Sequence, residues 1–174
     1  MKSILILYST TDGHTIKICQ KISAVAEISG HTVRLAAINS LSDEELVSFD
    51  KIVVGASIRY GKHHQELFDF VANNKALLAQ KSSAFFTVNV VARKANKNAP
   101  HNNPYLKKFL SEVSWEPNEV AVFAGKIDYQ KYRFFDRMII RFIMYLTKGP
   151  THPKTVSDFT NWGDVERFAK VISE

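Results

Sequence analysis

The fold is decided by residues 4–15, which read Ile4-Leu5-Ile6-Leu7-Tyr8-Ser9-Thr10-Thr11-Asp12-Gly13-His14-Thr15. An apolar run leads into a turn rich in hydroxyl groups, and a helical pattern begins directly after it. In α/β proteins this succession builds a phosphate cradle, because the free N–H groups and the dipole of a helix N-terminus attract an anion. The loop has no Lys or Arg and matches neither the GxxxxGK[ST] triphosphate loop nor the GxGxxG dinucleotide turn. It therefore predicts a site for one terminal phosphate of the kind that flavin mononucleotide (FMN) presents. An ordinary capped helix after a buried strand is the alternative.

Length, charge and cysteine content restrict the class of protein. A chain of 174 residues predicts one domain, residues 1–174, with a sizeable core. The net charge of +6 indicates an anionic partner, which can be a nucleic acid, a lipid surface or an acidic small molecule. Cys19 is the only cysteine and falls at helical spacing among apolar residues, so we expect a buried thiol and a reducing, cytoplasmic setting. We expect neither a signal peptide nor a membrane-spanning segment, since no charged leader and no apolar run of about 20 residues is visible.

Strand and helix patterns alternate along the chain. Strands are predicted at residues 3–8, 32–37, 51–56, 84–91 and 120–124. Helices are predicted at residues 15–29, from the capping box at 42–45, and at residues 64–79, 103–113 and 161–173. Five apolar strands separated by helices predict an α/β fold with a doubly wound parallel sheet in a three-layer sandwich. Ligands of such sheets bind beyond the carboxyl ends of the strands.

Three loops should therefore converge on one crevice: 9–15 after the first strand, 57–64 after the third and 92–101 after the fourth. The second loop offers the Arg59 guanidinium, the Tyr60 ring and the flexible Gly61. We predict no metal site at His63 and His64, because neighbouring helical residues diverge by about 100°. The lone Asp12 and a third strand that ends in Gly55-Ala56-Ser57 argue against a phosphate-accepting receiver domain. No residue is identified as an essential catalytic base.

Residues 126–148 are surplus to this framework. They read KIDYQKYRFFDRMIIRFIMYLTK and hold six Lys or Arg and two Asp, so four of the chain's six net positive charges fall here. Arg133, Arg137 and Arg141 recur every four residues among aromatic and aliphatic neighbours. This pattern predicts a basic helical insertion before the last helix that lies on an anionic membrane surface or holds a large apolar ligand. A helix packed on the sheet with its arginine face in water is the alternative. Nucleic acid is not the expected partner, since so many aliphatic residues do not suit a polar groove.

The loops together resemble the flavodoxin superfamily, and more specifically the family of bacterial menaquinone-dependent protoporphyrinogen oxidases. The matching stretches are Ser9-Thr10 with Asp12-Gly13, Gly55 to Gly61, Ser83-Ala84-Phe85 with Val88-Asn89, Val91 to Lys94, and Tyr132-Arg133 with Asp136-Arg137. Asp12 departs from the hydroxyl usual in flavodoxins but belongs to the loop of the narrower family. The resemblance covers nearly the whole chain.

This resemblance implies an FMN-dependent oxidoreductase of haem biosynthesis that oxidises protoporphyrinogen IX to protoporphyrin IX. It also implies that electrons pass to menaquinone or ubiquinone, and that the protein attaches peripherally to the cytoplasmic face of the bacterial inner membrane. The predicted FMN contacts are Ser9, Thr10, Thr11, Asp12, Gly13, His14, Thr15, Ala56, Ser57, Ile58, Arg59, Tyr60, Gly61, Val88, Asn89, Val90, Val91 and Ala92. The candidate contacts to substrate carboxylates or to the membrane are Arg59, Arg93, Arg133, Arg137 and Arg141.

Two other functions compete with this one. The first is a flavodoxin-like electron carrier with no substrate of its own, although the net positive charge and the insertion argue against it. The second is a quinone reductase that takes electrons from NADH or NADPH. The sequence leaves open which quinone is used, whether residues 126–148 bind lipid, substrate or both, and whether the protein forms a homo-oligomer.

Overall fold

A computed structural model describes residues 1–174 and contains the predicted five-stranded parallel sheet. Its strands are β1 (Ser3–Ser9), β2 (Thr32–Ala37), β3 (Lys51–Ser57), β4 (Ser82–Asn89) and β5 (Glu119–Ala124). The strand order is β2-β1-β3-β4-β5 and every neighbouring pair is parallel. Because the winding direction reverses between β1 and β3, the loops after these two strands lead to helices on opposite faces of the sheet and leave a crevice between them at its carboxyl edge.

Helices cover both faces of the sheet and complete the three layers. They are α1 (His14–Ile28), α2 (Asp43–Val47), α3 (Gln65–Asn73), α4 (Lys75–Gln80), α5 (Pro104–Val113), α6 (Phe134–Leu146) and α7 (Trp162–Ile172). Helices α1 and α7 share one apolar cluster with the sheet, while α2, α3, α4 and α5 share the cluster on the opposite face. Cys19 is fully buried in the first cluster, as predicted, and burial raises the pKa of its thiol. None of the helices has the length and the apolar composition that crossing a bilayer requires.

One helix and one strand end at residues other than those predicted from the sequence. The helix predicted at 64–79 is divided at Asn74, whose backbone N–H and side-chain amide both donate to the Phe70 carbonyl. Such local side-chain bonding competes with helix continuation. The strand predicted at 84–91 ends at Asn89, because the Asn89 side chain accepts the Ala92 N–H at 3.1 Å and turns Val90 and Val91 into a 3₁₀ helix.

The insertion is not one helix, which corrects the interpretation of residues 126–148. Its first residues form a short strand, β6 (Lys126–Asp128), that pairs antiparallel with β7 (Val156–Asp158). Only α6 is helical. A small third cluster, made of Ile127, Tyr129, Tyr132 and Met144, packs α6 onto this ribbon.

Candidate functional site

Two of the three predicted loops, 9–15 and 57–64, line one cavity of about 140 Å³ at the carboxyl edge of the sheet, together with residues 88–91 at the end of β4. No residue of the third predicted loop, 92–101, lines this cavity. Residues from the β1, β3 and β4 loops enclose it from the sheet side, and α6 covers the opposite side. Fourteen of the eighteen predicted FMN contacts line this cavity: Thr10, Thr11, Asp12, His14, Thr15, Ser57, Ile58, Arg59, Tyr60, Gly61, Val88, Asn89, Val90 and Val91. The sheet topology therefore brings together the residues that the loop patterns selected.

The turn between β1 and α1 has the backbone shape of an anion cradle. Gly13 caps α1 with φ +79°, a conformation that residues with a side chain rarely adopt, and its N–H donates to Thr10 Oγ1 at 3.1 Å. The backbone N–H groups of Thr11 and Asp12 donate to no protein atom. The buried hydroxyl of Thr15 also has no partner. An unpaired buried donor such as the Thr15 hydroxyl costs free energy unless a ligand or water satisfies it, and the free N–H groups near it also suit an anionic ligand.

Further unpartnered polar groups lie deeper along the cavity. Asn89 accepts hydrogen bonds at Oδ1 from Ala92 and Asn103, but its amide nitrogen Nδ2 is buried without an acceptor. The Ser57 hydroxyl at the end of β3 is likewise unpartnered. Both residues line the cavity. The site therefore offers a line of free donors that begins at the helix N-terminus and continues to the ends of β3 and β4.

Asp12 is neutralised by Arg59, which explains how a carboxylate fits beside an anion cradle. Arg59 lies 2.8 Å from Asp12 and 3.2 Å from Asp136 of α6, and its guanidinium stacks over the Tyr132 ring with its carbon 5.0 Å from the ring centroid. The Tyr60 hydroxyl also donates to Asp136. This hydrogen bond and the Arg59 charge lower the pKa of the Asp136 carboxyl. The β1 loop, the β3 loop and the start of α6 are thus joined by one ion-pair chain.

The β3 loop is a tight hairpin from Arg59 to Lys62. The backbones of these two residues exchange hydrogen bonds, at 3.0 Å and 3.3 Å. The two central residues, Tyr60 and Gly61, have φ of +51° and +81°. This is the pattern of a type I′ turn, which requires positive φ at both positions. The hairpin fixes Tyr60 at its tip, where it reaches α6.

Helix α6 forms an apolar roof over the cavity through Ile140, Ile143 and Met144. Its C-terminal end is held by Arg93, which donates to the carbonyl and the hydroxyl of Thr147 at 2.8 Å and 2.9 Å. The cavity beneath the roof is smaller than the roughly 300–1,000 Å³ usual for small-molecule sites. A ligand as large as a flavin would therefore extend beyond this cavity.

The outer face of α6 is apolar and open to solvent. Eight large apolar side chains of α6 are at least 39% exposed: Phe134, Phe135, Met138, Ile139, Phe142, Ile143, Tyr145 and Leu146. At 3.6 residues per turn they occupy one half of the helix surface, without a charged residue among them. We call this surface the outer face of α6.

The arginines of the insertion lie on the other side of the helix from this outer face, and two of them donate to backbone carbonyls. Arg133 is the N-cap residue, Arg137 donates to the Tyr132 carbonyl at 3.2 Å, and Arg141 donates to the Thr151 carbonyl at 2.8 Å. Arg137 and Arg141 therefore hold the insertion together. Neither they nor Arg93 nor Arg133 lines the cavity, and Arg59 is the one candidate arginine that does.

The other predicted contacts have local partners. The Ser9 hydroxyl donates to Glu66 at 2.5 Å. Four of the predicted contacts do not line the cavity: Ser9, Gly13, Ala56 and Ala92. His14 shares a hydrogen bond with Thr160 at 2.7 Å, and burial lowers the pKa of its imidazole. His64 shares a hydrogen bond with the Thr11 hydroxyl at 2.7 Å.

Sequence reasoning missed seven cavity residues: Tyr105, Gly125, Lys126, Tyr132, Ile140, Ile143 and Met144. Gly125 and Lys126 directly follow β5, so the rule that placed the other loops at the carboxyl edge could have found them. The remaining five residues belong to α5 and the insertion, and the strand pattern does not predict where these segments lie relative to the cavity.

Comparison with known proteins agrees with this geometry. A family model described as a flavodoxin domain matches residues 5–154. The chain is 37% identical over 169 residues to the protoporphyrinogen IX dehydrogenase (quinone) of Escherichia coli (strain K12), covering 97% of this chain and 93% of that protein. It is 41% identical over 166 residues to the protein of the same name from Leishmania major, covering 95% of this chain and 72% of that one.

Solved structures show the same fold at much lower identity. A flavodoxin from the domain Archaea superposes with a TM-score of 0.54 at 14% identity, covering 98% of this chain and 96% of that chain. Oxidised flavodoxin 2 from Bacillus cereus superposes with a TM-score of 0.51 at 20% identity, covering 84% of this chain and 98% of that chain. At these identities the likeness concerns the fold alone.

Proposed function

The chain belongs to the flavodoxin family and, within it, to the family of the quinone-dependent protoporphyrinogen IX dehydrogenases, and we propose that it oxidises protoporphyrinogen IX to protoporphyrin IX with a quinone as electron acceptor. The observation that carries this proposal is 37–41% identity over nearly the whole chain to relatives of that name, which includes the insertion. The reaction removes six electrons and six protons from the macrocycle. Since a quinone takes up two of each, one porphyrin requires three quinones.

We propose FMN as the cofactor, and the residues of the cavity fit it. The free N–H groups of Thr11 and Asp12 and the Thr15 hydroxyl would hold its single phosphate, while Ser57 and Asn89 would bind polar groups nearer the ring. The absence of Lys and Arg from the β1 loop suits one phosphate rather than a di- or triphosphate. When bound, FMN supplies the two-electron hydride chemistry that none of the side chains can supply.

The protein's own contribution is to position these groups and to exclude water. Arg59 cancels the charge of Asp12, so a phosphate nearby does not meet an unpaired carboxylate. Arg59 pairs with Asp136 of α6, and Arg93 donates to the Thr147 carbonyl at the end of α6. We therefore propose that the main role of both arginines is to hold α6 above the cavity. A substrate propionate would have to displace Asp12 or Asp136 to reach Arg59. The apolar roof suits a macrocycle whose reacting carbons lie in an apolar ring system.

We further propose that the outer face of α6 contacts the lipid surface at the cytoplasmic side of the inner membrane. A helix with one wholly apolar exposed side, too short to cross a bilayer, is suited to lie in the interfacial region. The main contact in this proposal is apolar, because Arg137 and Arg141 are engaged within the insertion. The net charge of +6 adds attraction to anionic lipids. The quinone and the macrocyclic ring of protoporphyrinogen are both apolar, so a membrane position would give them a direct route to the site.

The proposed activity is tested by mixing the flavin-loaded protein with protoporphyrinogen IX under anaerobic conditions. We expect the visible absorbance of the flavin to bleach on mixing and porphyrin fluorescence to rise once a quinone is added, because one flavin accepts only two of the six electrons. If protoporphyrinogen leaves the flavin oxidised while NADPH reduces it rapidly, the protein is a nicotinamide-dependent quinone reductase. If neither donor reduces the flavin, an electron carrier without its own substrate is the better assignment.

A further inference from the structure

A second and larger cavity, of about 590 Å³, lies on the other side of the hairpin from Arg59 to Lys62. Helices α3 and α5 form its far walls. Both cavities are lined by residues 58–61 and by Tyr105 of α5, so a single loop separates them. Its volume falls within the range of small-molecule sites. The function proposed above needs a quinone in addition to the flavin and the porphyrinogen, and the cavity beneath α6 has been assigned to the flavin, with the apolar roof suited to the macrocycle.

Part of the wall of this second cavity is aromatic and aliphatic, and polar and charged side chains of the hairpin, α3 and α5 form the rest. Phe68, Phe109 and Tyr105 contribute rings, and Ile58 contributes an aliphatic side chain. Phe109 is buried and packs edge-on against both Phe68 and His63. These contacts fix the rings of the wall, which therefore offer a preformed surface to a flat ring.

The charges around the cavity are largely compensated. Arg59 is paired with two carboxylates, and Lys108 lies 3.8 Å from Glu112 on the same helix. Burial lowers the pKa of His63 to about 4, so its ring is neutral near pH 7. Lys62 is the one lining cation without a carboxylate partner. A ligand that carries two carboxylates would find too few free cations here, and a neutral ring system suits the site better.

Two donors in the lining remain free for such a ligand. The Tyr105 hydroxyl and the Lys62 ammonium donate to no protein atom, and both residues line the cavity. A para-quinone carries two carbonyl oxygens on opposite edges of a flat ring, and each oxygen accepts a hydrogen bond. The apolar walls and the free donors thus match the two parts of a quinone head group.

We propose that this cavity binds the ring of the quinone acceptor, with Tyr105 and Lys62 as hydrogen-bond donors to its carbonyl oxygens. The inference rests on the proposed function, because it assigns a site to one of that reaction's partners. The quinone takes two electrons and one proton from the reduced flavin cofactor and a second proton from solvent, so both carbonyls become hydroxyl groups of the quinol. Quinone and porphyrinogen then occupy different cavities and do not exclude one another.

The test follows flavin reoxidation in the complete, flavin-loaded protein. The flavin is reduced with dithionite and mixed in stopped flow with rising concentrations of menadione. We expect the rate to saturate, and we expect half-saturation to rise about threefold to tenfold in Tyr105→Phe and in Lys62→Gln, the effect of one lost hydrogen bond. Lys107→Gln, an exposed neighbour on α5 outside the lining, is the matched control and should behave as wild type.

Two further measurements distinguish the second cavity from the first. Equilibrium dialysis of menadione against the oxidised protein should show the same loss of affinity in both variants, without any turnover. Added protoporphyrin IX should not raise the half-saturating menadione concentration. Unchanged half-saturation and unchanged binding in both variants, or competition by protoporphyrin, would overturn the proposal.

Failure of this proposal is separable from failure of the proposed function. The reductant here is dithionite, so the result does not depend on whether protoporphyrinogen is a substrate. The rate of flavin reoxidation can saturate with menadione and depend on Tyr105 even if protoporphyrinogen does not reduce the flavin. In that case the quinone site is supported and the assignment of protoporphyrinogen as the substrate is wrong.

Discussion

The outer face of α6 gives the sharpest prediction about the membrane. Phe135 and Phe142 are 77% and 62% exposed, and neither has an assigned role in the cavity. Complete burial of one such side chain is worth about 1.5–3 kcal/mol. Scaled by their exposed fractions, the two rings together should contribute about 2–4 kcal/mol to membrane binding. Replacing both with Ala should therefore weaken the partition coefficient about 30-fold to 1,000-fold.

The assay is co-sedimentation of the flavin-loaded protein with vesicles of neutral lipid and with vesicles that contain anionic lipid. Phe135→Ala/Phe142→Ala should lose binding to both kinds of vesicle, while its melting temperature changes little because exposed positions are replaced. The control is Arg137→Gln/Arg141→Gln, which removes two positive charges that lie away from the outer face.

This control should retain binding to neutral vesicles and should be less stable to urea, since two side-chain hydrogen bonds within the insertion are lost. The opposite pattern would refute the reasoning: binding to anionic vesicles only, abolished in the arginine variant and intact in the phenylalanine variant. The arginines would then be the membrane contact despite their partners in the structure.

Two predictions concern stability. Burial lowers the pKa of His63 to about 4 from an ordinary 6.5, so the unfolded chain binds the extra proton first and stability is lost as the pH falls from 6.5 towards 4. The free energy of unfolding, measured by urea titration, should fall by about 3 kcal/mol over this pH range, and this fall should be absent from His63→Gln. If the free energy of unfolding depended on pH in the same way in both proteins, the prediction would be wrong. A Cβ at Gly55 would collide with the Phe86 ring, so Gly55→Ala should lower the free energy of unfolding by about 1–3 kcal/mol. The melting temperature should fall by several degrees in a calorimetric scan. An unchanged melting temperature would show that the ring moves freely.

The sheet and most of the candidate site could be predicted because both depend on short-range patterns. A continuous apolar run such as β3 is typical of a strand buried on both faces, and a parallel sheet brings the loops after such strands to one edge. Asn89 shows where this reasoning loses precision. The apolar run continues through Val90 and Val91. The strand nevertheless ends at Asn89, because the Asn89 side chain accepts a hydrogen bond from the Ala92 N–H.

The insertion could not be predicted in detail, because its pattern does not say which side of the helix is covered. Arginines spaced four residues apart look alike whether they face water or donate to backbone carbonyls, as Arg137 and Arg141 do. The three-residue strand Lys126–Asp128 is too short to show a period, and its partner lies almost thirty residues further along the chain. Tyr132 and Ile140 enter the cavity only because this ribbon carries α6 back over the sheet.

The central claim, that protoporphyrinogen oxidation is coupled to quinone reduction, is tested most directly by the stoichiometry of the complete reaction. Protoporphyrin is measured by fluorescence and quinol by its absorbance, under anaerobic conditions with a menaquinone analogue in excess. We expect three quinols for each protoporphyrin and no protoporphyrin when the quinone is left out, because one bound flavin accepts only two of the six electrons. Porphyrin formation that does not depend on quinone, or quinol formation that requires NADPH and yields no porphyrin, would contradict it.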